Sequence, residues 1–372
     1  MTVSRSLGEN VHYQCVECAR THEVTLERVC CECGGVLDLR FNVPPPPVSF
    51  SGNGSGLIRY RDVLPIDAAL LERASLGLSH TPLLAMVDST YVKCDFLSPS
   101  GSFKDRGAQM LTALAISLGA RTVVLDSSGN AGAAMAAHCA RVGLACTVVV
   151  PSSAPGQKLL QSRAYGATVT AVDGGRAAAT DYARSLVSEP GVFYASHVEN
   201  PFFVEGTSTW AYEVVEQLGD APGEVMMSVG NGSLLLGAFR GFRYLHEHGR
   251  TSRIPRMTAV QARGWSPLTD DLDHADTPPL ADGIAIAAPR RLAQIRAAIE
   301  ATGGDVRVVD VDDITKATVE LARRGLWVEP TSGAAWAAAW AAAIERGFRE
   351  DESVVVSLGG AGFKSSAVSF GS

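Results

Sequence analysis

The chain has 372 residues, of which 46% are hydrophobic and 19% charged, and its 32 basic and 39 acidic residues give a formal net charge of −7. This composition excludes disordered and collagen-like chains, and the length suits one large compact unit or about two lobes. The acidic balance and the lack of long Lys/Arg runs argue against general nucleic-acid binding.

No segment has the pattern of an export signal or a membrane span. The first ten residues, MTVSRSLGEN, are polar. The longest apolar stretch, 333–344 (GAAWAAAWAAAI), is shorter than the ~20 residues that a bilayer requires and predicts a buried helix. We therefore expect a cytoplasmic protein without a membrane partner.

Five of the eight cysteines lie within the first 33 residues, and without an export signal they are more typical of thiols or metal ligands than of disulfides. Two C-x-x-C pairs, Cys15/Cys18 and Cys30/Cys33, are separated by 11 residues. Two such turns can aim four thiolates at one point. We therefore predict that residues 1–43 form a zinc-ribbon-like segment with these four cysteines as ligands.

Neighbouring residues leave this ligand set open, because Cys31 or His22 could replace one member. Gly34 and Gly35 permit the tight turn that follows the second pair. Four protein ligands leave no open position for a substrate, so the site would be structural. A set of unligated thiols is the alternative.

Residues 44–56 contain four consecutive prolines and then SFSGNGSG, which predicts a linker. After about residue 88, β-rich runs alternate with helical ones. The predicted strands are 90–94, 122–126, 146–151, 168–172, 191–195, 225–229, 257–262 and 353–358. The predicted helices are 107–118, 131–142, 158–165, 209–218, 234–246, 292–301, 314–323 and 334–345. Short apolar strands between helices indicate an α/β fold with mostly parallel sheets covered on both faces, and with more than one sheet.

Ligands of such folds bind at turns that follow the carboxyl ends of strands. Three strand-to-helix turns are rich in Gly, Ser and Asn, and each could present backbone N–H groups to an anion: 127–132 (SSGNAG), 228–233 (SVGNGS) and 357–362 (SLGGAG). The dinucleotide fingerprint fails at Leu235, where it requires glycine, and no P-loop motif is present.

Lys104, in the segment SGSFKDRG, stands just before a predicted helix. A cation in the first turn opposes the helix dipole by roughly 0.3–1 kcal/mol, which disfavours a merely solvated lysine there. Its use as a Schiff-base nucleophile is favoured instead. An acyl-enzyme S-x-x-K motif is excluded because residue 101 is glycine. Such a lysine together with separate phosphate-binding turns indicates pyridoxal phosphate.

The ordered motifs resemble the pyridoxal-phosphate enzymes of the tryptophan synthase β type (fold type II), and within them the threonine synthases. The resemblance covers nearly everything after residue 57, in the strings IRYRDVLPI, HTPLL, YVKCDFLSPSGSFKDRGA, SSGNAG, QKLLQSRAYGATV, ENPFFVEGTSTWAYEVVEQLG, SVGNGS, VQARGWSPL, EPTSGAA and SLGGAGFK. It implies a homodimer of two-lobed chains, each lobe with a central, mostly parallel sheet flanked by helices. The large lobe would comprise 57–87 and 196–372, and the small lobe 88–195.

The resemblance also implies roles for individual residues. Lys104 would hold the cofactor as an internal aldimine and move protons at Cα, with Phe103 as packing support at the cofactor. Asn130 would hydrogen-bond the ring 3′-oxygen, and Ser357 would face the pyridine nitrogen. The cofactor phosphate would be bound by the backbone N–H groups of Gly230, Asn231, Gly232, Ser233 and Leu234. The substrate carboxylate would be bound around Ser127, Ser128, Gly129 and Ala131.

Three positions depart from the threonine synthase pattern: Phe203 and Ser208 stand where basic residues are expected, and Ala131 replaces a threonine. Each charge-assisted phosphate contact contributes about 1.5–3 kcal/mol, so a phosphorylated substrate loses support. Arg263, His197 or Lys158 could supply a substitute contact.

The predicted activity is that of a threonine synthase-like lyase, with conversion of O-phosphohomoserine and water to threonine and phosphate as the prototype. The alternative enzyme performs β-elimination or β-replacement on serine, threonine or O-phosphoserine, as a dehydratase or a synthase that adds sulfur or another nucleophile. Residues 279–289 (PLADGIAIAAP) are similar to the dehydratase branch. A non-catalytic sensor or partner-binding protein is the alternative from another class, and the presence of Lys104, Asn130 and Ser357 argues against it.

Overall fold

The computed structural model describes residue 7 and residues 11–51, 53–273, 280–346 and 352–365. Parts of the predicted segments lie outside these described residues: 1–6 and 8–10 of the ribbon, 52 of the linker, and 274–279, 347–351 and 366–372 of the large lobe. Contacts between Cα atoms divide the chain into two compact units. Unit 1 comprises Met1–Ser79 and Lys104–Thr207, and unit 2 comprises His80–Phe103 and Ser208–Ser372.

Unit 1 begins with a three-stranded antiparallel sheet of strands β1 (Val11–Cys15), β2 (Thr21–His22) and β3 (Leu37–Phe41), in the order β2-β1-β3. Alternate residues of β1 are buried, as expected for a strand with one face on a core. Tyr13 on that face meets Phe202 edge-on, with ring centroids 6.0 Å apart. The N-terminal sheet therefore packs on the same core as the rest of unit 1.

The remainder of unit 1 is a four-stranded parallel sheet with helices, in the strand order β8-β7-β6-β9. Its strands are β6 (Thr122–Leu125), β7 (Ala145–Pro151), β8 (Thr168–Val172) and β9 (Val192–Tyr194). Its helices are α1 (Ala68–Arg73), α2 (Lys104–Ser117), α3 (Asn130–Val142), α4 (Gly156–Ala164), α5 (Gly175–Ser185) and the first part of α6 (Pro201–Leu218).

Unit 2 contains a six-stranded sheet in the order β12-β11-β10-β13-β5-β4, parallel except for the edge pair β4/β5. Its strands are β4 (Leu83–Val87), β5 (Thr90–Lys93), β10 (Glu224–Ser228), β11 (Arg256–Ala262), β12 (Val306–Val309) and β13 (Val354–Ser357). Its helices are the rest of α6, α7 (Ser233–Glu247), α8 (Leu292–Ala301), α9 (Val311–Arg323) and α10 (Pro330–Arg346).

The predicted α/β class with mostly parallel sheets is confirmed. The unit boundaries differ from the predicted lobes, because β5 pairs with β13, for example at Val92 and Val356, and so belongs to unit 2. Residues 57–79 belong to unit 1, where Gln109 Nε2 donates to the Leu71 carbonyl at 2.9 Å.

The apolar stretch 333–344 forms most of α10, but Ile344 is 65% exposed, so the helix buries one face rather than its whole surface. Across the described ranges, no helix is long and apolar enough to cross a membrane.

Candidate active site and cysteine cluster

Four cysteine thiols meet beside the N-terminal sheet of unit 1. The sulfur atoms of Cys15, Cys18, Cys31 and Cys33 all lie within 4.8 Å of one another. Three of their separations are 3.5 Å, 3.5 Å and 3.6 Å. Tetrahedral zinc with bonds of about 2.3 Å places sulfur atoms roughly 3.8 Å apart, whereas a disulfide holds them about 2 Å apart. The separations therefore fit a four-thiolate metal site.

The structure corrects one member of the predicted ligand set, since Cys31 rather than Cys30 joins the cluster. The Cys31 N–H donates to the Gly35 carbonyl at 3.1 Å, which folds the turn so that the Cys31 side chain is buried. Gly35 packs closely on the cluster, because a Cβ there would lie 2.7 Å from Cys15 Sγ. His22 Nε2 lies 3.3 Å from Cys31 Sγ and is a neighbour of the four-thiol set.

Lys104 is the first residue of α2, three residues earlier than the predicted helix start. Its Nζ lies 5.8 Å from the centroid of the Phe203 ring. Phe203 is fully buried and covers α2 one turn further on, where a Cβ at Gly107 would overlap its ring carbons. The departure at position 203 therefore places an uncharged aromatic ring beside Lys104.

His197 is a second neighbour in this part of unit 1. Its ring meets Phe203 edge-on, with centroids 6.0 Å apart. Burial, together with the positive charges of Lys104 and Arg176, lowers the pKa of His197 to about 3. Its Nδ1 is buried and has no hydrogen-bond partner in the described part of the chain. A neutral imidazole can make a hydrogen bond but cannot replace a missing cation.

The turn 127–132 leads from β6 into α3, which begins at Asn130. The N–H of Gly129 lies 3.4 Å from Ser127 Oγ, which accepts its hydrogen bond. A Cβ at Gly132 would overlap the Ser127 carbonyl oxygen, so glycine allows the turn to lie against the helix. The first amides of a helix have no partner within it and favour anions. This end of α3 can therefore receive a carboxylate.

Asp126, which directly precedes this turn, was not singled out from the sequence. Tyr194 donates its hydroxyl to Asp126 Oδ1 at 2.7 Å, and the Thr180 hydroxyl donates to Oδ2. Burial nevertheless raises the pKa of the Asp126 carboxyl, because it outweighs these hydrogen bonds. The network fixes the strand end from which the turn departs.

In unit 2, the turn 228–233 leads from β10 into α7. Gly232 has a φ of +77°, a conformation that favours glycine, and a Cβ there would overlap Ile295. A Cβ at Gly230 would lie 2.8 Å from the Gly283 carbonyl oxygen. The turn thus exposes backbone rather than side chain at the start of a 15-residue helix, which is the arrangement that binds phosphate.

Ser357 ends β13 in unit 2 and is 4% exposed. Its Oγ is buried and makes no hydrogen bond to any described residue. An unsatisfied buried hydroxyl costs about 1–3 kcal/mol, which a bound pyridine nitrogen would relieve. Phe103 donates its N–H to the Gly359 carbonyl at 2.9 Å, and a Cβ at Gly359 would lie 3.1 Å from the Phe103 ring. The residues therefore fit a pyridoxal phosphate group.

The predicted site residues divide between the two units. Unit 1 carries Lys104, Asn130 and the turn 127–131, and unit 2 carries Phe103, Ser357 and the turn 230–234. A lysine at a helix start, a glycine turn at a second helix start and a buried serine at a strand end are each features expected of a pyridoxal-phosphate enzyme.

Residues 74–360 match the family model described as pyridoxal-phosphate dependent enzyme, and the chain belongs to that family. The threonine synthase of Methanocaldococcus jannaschii is 31% identical over 94% of this chain and 92% of its own length. That of Halalkalibacterium halodurans is 32% identical over 83% and 89%. The resemblance to threonine synthases, and with it the prediction of a pyridoxal-phosphate-dependent lyase, is confirmed.

A solved structure supports the fold alone. The O-acetylserine-dependent cystathionine β-synthase from Helicobacter pylori matches with a TM-score of 0.65 and 23% identity, over 81% of this chain and 97% of that one.

Proposed function

We propose that the chain catalyses elimination and replacement on an amino acid that carries a leaving group, with O-phosphohomoserine and water giving threonine and phosphate as the prototype. The similarity to threonine synthases over most of the chain supports this proposal. The structural observation that carries it is the buried hydroxyl of Ser357, which has no hydrogen-bond partner among the residues that the structure describes. A hydroxyl partner leaves a pyridine nitrogen largely uncharged, which suits elimination and replacement better than transamination.

When bound, pyridoxal phosphate supplies an aldehyde, a phosphate and an electron-withdrawing ring. Lys104 Nζ would hold the cofactor at its aldehyde and, once free, would accept the proton from the substrate Cα. Asn130 would hydrogen-bond the 3′-oxygen of the cofactor ring, and the N–H groups of residues 230–234 would bind its phosphate. Ser127, Ser128, Gly129 and Ala131 form the carboxylate site at the start of α3.

A second candidate is β-elimination or β-replacement on serine or threonine, and the surroundings of Lys104 favour it. Phe203 and His197 bring no positive charge for a leaving phosphate. Ser208 brings none either, and it is buried in α6, where its carbonyl packs against Gly241. Arg176 is exposed, and its positive charge contributes to the lowered pKa of His197. Arg176 is therefore a cation of unit 1 that could bind a phosphate.

The two candidates are separated by product analysis with O-phospho-L-homoserine, L-serine and L-threonine. Threonine formed together with phosphate supports the prototype, whereas a 2-oxoacid with ammonia supports the second candidate. Phosphate without threonine contradicts the prototype, and no turnover of any of the three contradicts both. Under the prototype, Arg176→Gln raises the KM for the phosphorylated substrate about tenfold or more, as expected for one charge-assisted contact. Under the second candidate, Arg176→Gln leaves the KM for serine unchanged.

We also propose that Cys15, Cys18, Cys31 and Cys33 hold a structural zinc ion that stabilises the N-terminal segment. Cys31→Ser should lose most of the zinc, because three remaining thiolates hold the ion weakly. Cys30→Ser is the matched control, since Cys30 lies outside the cluster, and it should keep the native zinc content. Equal zinc contents in the two variants, measured by metal analysis, would contradict this ligand set.

A cytoplasmic homodimer is proposed from the resemblance to threonine synthases. Sedimentation should give a particle of twice the 39.1 kDa chain mass. A particle of single-chain mass would contradict the dimer.

A further inference from the structure

A buried pair of ionisable side chains, Asp105 and His138, lies directly beside Lys104 in unit 1. Asp105 is the second residue of α2, and His138 lies in α3. Both side chains are fully buried, and Asp105 Oδ1 lies 3.4 Å from His138 Nε2. The proposed reaction assigns neither of them a role.

The other ring nitrogen of His138 fixes where its hydrogen lies. Nδ1 lies 2.7 Å from the carbonyl oxygen of Ala74, which can only accept a hydrogen bond. In a neutral ring, Nδ1 therefore carries the hydrogen and Nε2 carries a lone pair. Nε2 has no hydrogen-bond partner among the described residues. Its lone pair would face the Asp105 carboxylate in a fully buried site, where two electron-rich atoms repel.

We propose that Asp105 and His138 hold one shared proton, and that this pair is a positioning element for Lys104. The proton lies either on Nε2, as imidazolium beside carboxylate, or on Asp105, as carboxylic acid beside imidazole. The pair has zero net charge in both forms, and the contact becomes attractive. It also reduces the cost of burying the carboxylate.

The pair connects three helices of unit 1. Asp105 links the first turn of α2 to α3, and His138 links α3 to Ala74, the residue that directly follows α1. One turn further along α2, Gln109 Nε2 donates to the Leu71 carbonyl of α1. The orientation of the turn that begins at Lys104 is therefore set by contacts at positions 105 and 109. That this turn carries the reactive amine rests on the proposed function.

Asp105→Asn is the variant that tests the shared proton. Asparagine has the shape of aspartate, and its amide can donate a hydrogen bond to the lone pair on Nε2 of neutral His138. Asp105→Leu is a control of similar size that makes no hydrogen bond. The probe is pyridoxal 5′-phosphate added to the apo protein, with the rate of appearance of the near-visible absorbance band as the readout. Urea unfolding of the same apo proteins is measured in parallel.

We expect Asp105→Asn to react within about threefold of the native rate and Asp105→Leu to react at least about tenfold more slowly, as for loss of a buried hydrogen bond. Equal slowing of the two variants would overturn the proposal, because the negative charge would then be what matters. Native rates in both would also overturn it. If Asp105→Leu does not fold, His138→Gln serves in its place and should be slow, because the glutamine NH2 can donate toward only one of the Ala74 carbonyl and Asp105 Oδ1 and leaves the other facing the amide oxygen.

The experiment separates this inference from the proposed function. If the native protein develops no absorbance band with pyridoxal 5′-phosphate, the proposed function fails. The unfolding data still test the pair, since Asp105→Asn should remain more stable than Asp105→Leu. A band in the native protein with equally slow Asp105→Asn and Asp105→Leu variants defeats only the shared proton.

Discussion

The two strand-to-helix turns 127–132 and 228–233 have similar sequences, SSGNAG and SVGNGS, yet they use glycine differently. In unit 1, Gly129 has a negative φ and open space around it, while Gly132 is needed because the Ser127 carbonyl packs against it. In unit 2, Gly232 adopts a positive φ and also packs against Ile295. Similar glycine patterns thus give one turn shaped by close packing and another shaped by backbone conformation.

The strongest test of this comparison is Gly132→Ala in the turn of unit 1. The new Cβ overlaps a backbone oxygen, which moves only if the turn shifts, so we expect a loss of about 1–3 kcal/mol in the free energy of unfolding. Gly129→Ala is the matched control, because nothing lies within 4 Å of its Cβ. Urea denaturation measures both. Equal losses would mean that close packing does not shape this turn.

Gly232→Ala tests the turn of unit 2. A positive φ costs an alanine about 1–2 kcal/mol, and the Cβ must also displace Ile295. Gly219→Ala serves as the control, since it has a φ of +85° and open space and therefore isolates the backbone cost. Both should lose stability, but only Gly232→Ala should weaken binding of pyridoxal 5′-phosphate in an equilibrium titration. Equal affinities would contradict the assignment of this turn to the cofactor phosphate.

A smaller effect is expected from Asp126, at the entry to the unit 1 turn. Its pKa is raised in the folded protein, so folding favours the protonated carboxyl. The stabilisation is complete below the unfolded pKa of about 3.9 and is lost as the pH rises through the higher folded value. The unfolding free energy of Asp126→Asn minus that of the native protein should therefore be larger at pH 8 than at pH 4. A difference in unfolding free energy that is the same at both pH values would contradict the raised pKa.

Much of the fold was predictable because short apolar strands and Ala-rich helices alternate along the chain. The sequence did not reveal β4 and β12, which lie at the edges of the six-stranded sheet, where the burial that marks a strand is incomplete. The predicted lobe boundary at residue 88 missed the pairing of β5 with β13, because that contact joins residues more than 250 positions apart.

The site was predictable where one residue type at a helix start carries the signal, as at Lys104. Spacing could not choose between Cys30 and Cys31, since the string CCEC contains both a C-x-x-C and a C-x-C pair. The pairing of Asp105 with His138 could not be predicted, because it depends on contacts between residues distant in sequence, such as that of His138 with Ala74.

The central claim is that Lys104 Nζ bonds covalently to pyridoxal phosphate. Borohydride reduction of the holoenzyme, followed by proteolysis and mass spectrometry, tests it directly. We predict that the cofactor mass is found on the peptide that contains Lys104, and that Lys104→Ala protein carries none. Labelling of another lysine, or undiminished labelling of Lys104→Ala protein, would contradict this account.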